Sequence, residues 1–555
     1  MKLIECVPNF SEGTDFSKID KITSEISSVS NIELLDVDAG KDTNRTVVTF
    51  IGPPEDVIVA AFKGIKMAAT LIDMRGHSGE HPRMGATDVC PLVPVSEVSI
   101  DECVKYSKVL AKKVASELDI PVYLYEESAN TEHRKNLSNI RKGEYEGFKE
   151  KINSSNWVPD YGKTIFNEES GVTAIGARNF LIAYNINLNT RDKKIATDIA
   201  LDIREAGRAK RDKNRKIIRK KDGSIVKVPG SLKETKAVGW YIDEYRKAQV
   251  SINLTNYTVT SIESAFEEVR KQANRRGVRV TGSEIVGLVP KNALLSAGLF
   301  YLAKQNRCAA IPDEEIIDIA IDSLGLNEIV KFDQHRAIIE NRIKNKNQLI
   351  DLKVNEFLNE VSVDTPAPGG GSVSALSGSL AASLISMVSN LTFGKKGYTD
   401  NNLIIQEIGM SAQNLKKNLL LKVDEDTRAF NGILSAFRMP KNTTEDQDAR
   451  NDKIEVATKY AIQVPLSIMQ ISYKTLLLSK KIIKWGNQNS LSDAGVSVEL
   501  SMASINGAYM NVLINLKDID DGEYAQKILK KTKVIMEKSL NEATAARKKI
   551  YKKLK

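Results

Sequence analysis

The feature that most restricts the fold of this 555-residue chain is a change of hydrophobic period partway along it. Up to about residue 330, short β-branched runs bounded by Gly, Pro, Asn or Asp alternate with stretches of helical spacing. Leu3-Ile-Glu-Cys-Val, Ile32-Glu-Leu-Leu-Asp-Val and Arg45-Thr-Val-Val-Thr-Phe-Ile read as strands, and Phe16–Ser27 and residues 54–72 as helices. A second set follows, with strands at 180–188, 250–254 and 285–289 and helices at 194–205 and 261–274. From about residue 354 onward, apolar residues recur every three or four positions and alternating runs are scarce, the pattern of packed helices. The expected architecture is two α/β subdomains, 1–179 and 180–330, a charged linker over 331–350, and an all-α helical domain over 351–555.

Chemistry divides at the same place. The four histidines are His77, His81, His133 and His335, and the last cysteine is Cys308. Catalysis in the helical half is therefore left to carboxylates, Lys, Tyr, hydroxyls and amides. The four scattered cysteines lack metal-ligand spacing and read as reduced thiols of a cytoplasmic protein. The start lacks the apolar core of a signal peptide, and residues 371–393 are too interrupted by serines for a membrane span. A net charge of +9 favours anionic partners without choosing among them.

The densest reactive cluster is His77-Ser-Gly-Glu80-His81-Pro-Arg83-Met-Gly-Ala-Thr-Asp88. It fits H-x-x-E-H formally, but Gly76, Gly79 and Pro82 argue against the continuous helix that zinc chemistry of this kind needs. A glycine-rich loop presenting one imidazole, with Glu80, Arg83 and Asp88 nearby, suits acid–base work; mutual hydrogen bonding of loop residues is the plainer alternative. The stretch Leu35-Asp36-Val-Asp38-Ala-Gly-Lys-Asp42-Thr-Asn44-Arg45 ends a strand in a turn rich in carboxylates and amides, a place for site residues or an ordinary Asx turn. The glycine-bounded loop 162–171 does not match a phosphate-binding pattern. A basic insertion around Arg208-Ala-Lys-Arg-Asp-Lys-Asn-Arg-Lys carries a hairpin signal at Lys221-Asp-Gly-Ser. A solvated loop is its leading reading and a polyanion-binding arm the alternative.

In the helical half, Thr365-Pro-Ala-Pro-Gly-Gly-Gly-Ser372 precedes a helix of small residues and reads either as an anion-holding helix start or as a close-packing one. Leu419, Val423, Asp426, Phe430 and Ile433 share one helix face, so Asp426 stands where an apolar residue is expected. Burial there raises a carboxylic acid's pKa and makes it a usable proton donor. Asp424 lies on another face and can pair locally with Arg428. Asn511 and Asn515, at i,i+4 among apolar residues, must either tie helices together or line a polar pocket.

Glu5-Cys-Val-Pro-Asn-Phe-Ser-Glu-Gly, Leu35-Asp-Val-Asp-Ala-Gly, Gly79-Glu-His-Pro-Arg-Met-Gly-Ala, Pro121-Val-Tyr-Leu-Tyr, Gly176-Ala-Arg and Val286-Gly-Leu-Val-Pro resemble the glutamate formimidoyltransferase family. The Thr365–Ser372 stretch, Asp424-Glu-Asp426-Thr-Arg-Ala-Phe430 and Asn511-Val-Leu-Ile-Asn-Leu-Lys-Asp resemble formimidoyltetrahydrofolate cyclodeaminase, in the order of the fused enzyme. The resemblance implies transfer of a formimidoyl group from formimidoylglutamate to tetrahydrofolate, then cyclisation to 5,10-methenyltetrahydrofolate with loss of ammonia. It implies His81 as the acid–base residue of the first step and Asp426 as the catalytic carboxylate of the second. Asp38 is the candidate orienter of His81, with Glu80, Arg83 and Asp424 as supporting candidates. It further implies a folate-binding loop of Gly162, Lys163, Thr164, Ile165, Phe166, Asn167, Glu168, Glu169, Ser170 and Gly171. Folate, expected as polyglutamate, is a co-substrate, and neither step calls for a metal. The partners implied are small-molecule substrates and further copies of the chain in a homo-oligomer, not nucleic acid or a membrane. Two alternatives remain open at this point: a methenyltetrahydrofolate cyclohydrolase in the helical half, and a non-enzymatic assembly or nucleic-acid-binding protein that uses the basic insertion.

Overall fold

The computed structural model describes residues 2–41, 43–79, 81–342 and 348–555. These form two compact units, each described by itself: residues up to 297 with 324–342, and Gly298–Ser323 with 348–555.

The first unit opens with β1 (Leu3–Cys6) and β2 (Asn9–Phe10), followed by β3 (Glu33–Gly40), β4 (Arg45–Gly52), β5 (Thr87–Ser96), β6 (Val122–Glu126) and β7 (Thr173–Ala177). β1 and β2 share one slot, each antiparallel to both β4 and β5, and Pro8 between them is the break. β3 extends the sheet beyond β4, while β5–β7 and β6–β7 pair in parallel. The helices Phe16–Ser27, Pro54–Leu71 and Ile100–Leu118 supply one core with the sheet face that carries Val48 and Phe50. Strand alternation turns Arg45, Val47 and Thr49 to the other face, where the site residues gather.

A four-stranded antiparallel sheet follows, in the order β11 (Thr235–Ile242), β12 (Lys247–Leu254), β8 (Ile182–Leu188), β13 (Val280–Val286), with the helices Lys193–Ile203 and Ile262–Arg275. The basic insertion lies between the first helix and β11. It pairs β9 (Arg208–Ala209) with β10 (Lys227–Val228) and makes two tight turns. The expected hairpin is one of them: Lys220 N donates to Ser224 O at 2.8 Å, with Gly223 at φ +81°. The expected linker is different. Residues 331–342 fold back onto the α/β unit, where Val289 N donates to the Ala337 carbonyl (2.9 Å) and Ile338 and Ile339 are fully buried. Charged residues made this stretch look like a spacer, but its few apolar side chains anchor it.

The second unit is helical from Val354–Ser362 onward, with long helices Gly370–Thr392, Asn402–Phe437, Thr444–Trp485, Leu491–Asn515 and Gly522–Leu554. Segment Gly298–Ser323, assigned from sequence to the second subdomain, packs here: Ser386 Oγ donates to the Ala310 carbonyl at 2.9 Å, and Asn390 Nδ2 to the same oxygen at 2.5 Å. Gly370–Thr392 has the length and hydropathy of a membrane span, yet most of it is buried in the bundle. Its seams are lined by small hydroxyl residues, some bonded across to a neighbouring helix, as Ser372 is to the Val423 carbonyl and Ser377 to the Leu500 carbonyl, and others satisfied inside their own. Ser389 donates to Ile385 O (3.0 Å), Ser479 to Thr475 O (3.2 Å) and Ser501 to Ser497 O (2.7 Å).

The Thr444–Trp485 helix runs through Pro465, which has no N–H for the Ala461 carbonyl four residues back. Asn515 Nδ2, from the Leu491–Asn515 helix, donates to that oxygen at 2.8 Å. Of the two readings open for this half-buried amide, tying helices together is the one realised, and the proline gives the reason. Replacing Asn515 by Leu should cost about 1–3 kcal/mol by orphaning a buried carbonyl. In a Pro465→Ala background the restored N–H takes that carbonyl, so the penalty should shrink; denaturant unfolding of the four variants gives the coupling.

Candidate functional sites

Three loops meet at one end of the first sheet. The turn after β3 reaches the His77 segment through Asn44, whose Nδ2 donates to Ser78 O (2.8 Å) and whose carbonyl lies 3.0 Å from His77 Nε2. The 162–171 loop is stitched to the stretch after His81: Val172 N donates to Met84 O (3.0 Å) and Ala86 N to Ser170 O (2.9 Å). Gly171 has φ +69°, and a Cβ there would stand 2.2 Å from the Met84 carbonyl oxygen, so only glycine allows this approach. Within the loop, Asn167 Oδ1 accepts from Glu169 N and Ser170 N, Lys163 pairs with Asp119, Glu168 with Lys149, and Phe166 packs against Tyr145 with tilted rings 5.2 Å apart between centres.

His77 and His81 differ. His77 Nε2 faces the Asn44 carbonyl and its Nδ1 accepts from Arg83 Nε (3.3 Å), so both ring nitrogens are engaged and the ring is held neutral. Arg83 is buried and forked between Glu144 (2.9 Å) and Glu146 (2.6 Å), which makes it the clamp of this segment. His81 Nε2 contacts Arg45 Nη1; a guanidinium only donates, so Nε2 accepts and the ring proton sits on Nδ1. That Nδ1 is buried with no partner among the described residues. Burial, followed by the cations Arg45 and Arg141, pushes the His81 imidazole down to about 4, so it is a neutral ring at physiological pH. Arg141 is itself tied to fully buried Asp88, through Nε at 3.0 Å and the ion pair.

Asp38, expected to orient His81, is exposed on β3; its charge acts on Arg45, and Arg45 rather than Asp38 is the residue that touches the imidazole. Glu80 lies outside the described residues. Arg45 and Arg141 were not singled out by sequence, since neither stands in the histidine cluster and each arrives from a separate strand or helix. Of the charged groups, the Arg45 and Arg141 guanidiniums act most strongly on the neutral imidazole, ahead of Glu144, and Arg45, which touches it, is a cation suited to a carboxylate-bearing ligand.

The same unit holds a second feature, a cavity of about 630 Å³ lined by Glu5, Asp36, Thr49, Arg178, Glu284 and Arg336, among others. Glu5 is 5% exposed, and burial pushes its carboxyl up to about 7 against the pull of Arg178.

In the helical unit, Asp426 projects from the Asn402–Phe437 helix against the start of Gly370–Thr392. A Cβ on Gly371 would lie 2.1 Å from Asp426 Oδ1, so the glycine is what lets a carboxylate reach this helix N-terminus. Ser372 Oγ stands 3.4 Å from Oδ2, and Asn511 approaches the neighbouring Gly370 from the Leu491–Asn515 helix. Burial raises the Asp426 pKa above the usual carboxylate value; the Ser372 amide and hydroxyl pull the other way. The glycine-rich start therefore receives a carboxyl group, one from its own chain. Asp424 corrects an expectation: it does not pair with Arg428 but is buried, with Oδ1 accepting from Leu349 N at 2.7 Å. Helical spacing gave its face but not the segment that covers it.

Residues 3–178 match the family described as formiminotransferase domain, N-terminal subdomain, residues 183–344 the formiminotransferase domain, and residues 353–534 formiminotransferase-cyclodeaminase. The formimidoyltransferase-cyclodeaminase of Rattus norvegicus is 40% identical over 545 residues, 98% of this chain and 97% of its own length. That of Dictyostelium discoideum is 42% identical over 541 residues, 96% of each. The methenyltetrahydrofolate cyclohydrolase of Methylorubrum extorquens is 36% identical over 202 residues, 36% of this chain and 95% of its own. The chain belongs to the formimidoyltransferase-cyclodeaminase family.

Replacing Arg45 by Gln removes one cation from His81 while leaving it buried. In an NMR titration the imidazole should then move up from about 4 without regaining the ordinary value near 6.5; an unchanged value would mean that Arg45 does not act on the ring.

Proposed function

We propose that the first unit transfers a formimidoyl group from formimidoylglutamate to the 5-nitrogen of tetrahydrofolate, and that the helical unit cyclises the product to 5,10-methenyltetrahydrofolate with release of ammonia. The observation that carries the reading is the pairing of two unlike centres, a neutral imidazole among arginines and a carboxyl with raised pKa, in a chain similar to formimidoyltransferase-cyclodeaminases along nearly its whole length.

In the first step a substrate carboxylate draws the Arg45 guanidinium off His81 Nε2 and frees its lone pair. The folate amine attacks the formimidoyl carbon, Nε2 takes the proton of that amine, and the tetrahedral species collapses as His81 returns the proton to the departing glutamate nitrogen. The positive surroundings keep the ring neutral between turnovers, and the 162–171 loop holds the folate. In the second step the 10-nitrogen closes onto the same carbon. The proton of the 10-nitrogen passes to the imine nitrogen, and protonated Asp426, fixed by Gly371 and Ser372, gives that nitrogen a second proton, so that it departs as ammonia and leaves the methenyl cation.

The folate is taken as its polyglutamate, a reading supported by the net charge of +9; the protein acts in the cytoplasm, in keeping with four free thiols. It works as a homo-oligomer. Support comes from an apolar stripe on Gly370–Thr392, where Val373, Leu380 and Met387 recur every seven residues and are exposed, beside exposed Met510 and Ile514 of the Leu491–Asn515 helix. Light scattering should show a smaller species for Leu380→Glu than for the wild type.

One observation favours a second reading of the helical unit, its 36% identity to the cyclohydrolase. A deaminase releases ammonia from 5-formimidoyltetrahydrofolate, whereas a cyclohydrolase consumes methenyltetrahydrofolate with none. His81→Ala should abolish transfer yet still cyclise supplied 5-formimidoyltetrahydrofolate. Asp426→Asn should transfer normally and lose ammonia release by about 10²–10⁴-fold. Loss of both activities in either variant would contradict two separate centres.

A further inference from the structure

The carboxyl of Glu5 is almost wholly buried, opens into the 630 Å³ cavity and has no hydrogen-bond or ion-pair partner among the described residues. A buried carboxylate without a donor is costly, and a well-packed strand does not keep one for stability. Arg178 lines the same cavity and acts on Glu5 through its charge without forming an ion pair. Among the described residues the guanidinium makes one hydrogen bond, a long one to Asn179 O at 3.3 Å. An unmet acceptor beside an under-used donor is complementary to a ligand that carries an N–H next to a carboxylate.

Both substrates of the transferase reading, on which this inference rests, contain such a group. Each is an N-substituted glutamate, the folate through its p-aminobenzoyl amide and formimidoylglutamate through its amidine. Position distinguishes them. Glu5 pairs with Ile51 on β4, six residues along from Arg45 and so roughly 20 Å from the His81 end of the sheet. That is too far for the small donor substrate to reach while it reacts, and it suits the distal end of an extended folate. Arg336 and Arg342 line the cavity as further cations for the second carboxylate.

We propose that Glu5 and Arg178 form a recognition pair for the glutamyl end of the folate, Glu5 accepting from its amide N–H and Arg178 donating to its α-carboxylate. They are positioning residues, remote from the bond that forms.

The test is steady-state transfer with each substrate varied in turn, in wild type and Glu5→Gln. The variant should raise KM for tetrahydrofolate by about tenfold or more and leave kcat within about twofold. Tetrahydropteroate, which lacks the glutamyl group, should be handled alike by both proteins. The melting temperature at pH 8 should not fall, because an isosteric amide removes an unpartnered buried charge; a fall shared with all kinetic parameters would mark Glu5 as structural and overturn the proposal. A rise in KM for formimidoylglutamate with that for tetrahydrofolate unchanged would overturn the assignment to folate. Unchanged KM for both substrates would overturn it. Calorimetric binding of 5-formyltetrahydrofolate reads the same pair without turnover. Weaker binding by Glu5→Gln and Arg178→Gln supports the pair even if the transferase reading fails, and equal binding by all three proteins refutes it.

Discussion

Both candidate centres depend on a close approach that a side chain would forbid. At Gly171 the backbone comes within a Cβ's reach of the Met84 carbonyl and joins the 162–171 loop to the residues that follow His81. At Gly371 the start of a long helix admits the Asp426 carboxylate. In each case the functional group is fixed by main chain, which has fewer ways to relax than side chains do, and the rest of the unit serves to hold that main chain in place. The sheet does so through the continuous β4–β1/β2–β5 ladder, and the bundle does so through small-residue seams that bring helix axes near each other.

The arrangement also separates two kinds of proton chemistry. The imidazole is kept basic-form by burial and neighbouring cations, whereas burial raises the carboxyl's pKa against only the Ser372 hydrogen bonds. The same physical term, loss of solvation, acts on both and drives them in opposite directions because one group is charged when protonated and the other when deprotonated.

Much of this was legible from residue order. Period-two and period-3.6 patterns located Phe16–Ser27, β3, β4 and the helical half, and an acid on an apolar stripe marked Asp426. β5 escaped notice because it carries Pro91 and Pro94, residues normally confined to edges, although it lies between β1 and β7; the Pro91 carbonyl still accepts from Val7. Arg45, Arg141 and Glu5 escaped because each is ordinary in its own segment and gains meaning only from what a distant strand or helix brings beside it. The linker reading missed the docking of 331–342 for a related reason. Composition reports the average polarity of a stretch, and two buried isoleucines are enough to dock it.

The hydroxyl-lined seams of the bundle carry a mechanical consequence. A serine bonded to the carbonyl of its own preceding turn satisfies itself whatever its neighbour does, so it brings two helices close without fixing how far along each other they lie. At intervals a hydroxyl bonds across instead, Ser377 to the Leu500 carbonyl and Ser472 with Ser504, and these few bonds act as pins that set the register of the whole seam. At the Asp426 end the pin is Ser372, whose Oγ donates to the Val423 carbonyl at 2.7 Å, so the height of the carboxyl against the Gly370–Ser372 turn is held by one cross-helix bond.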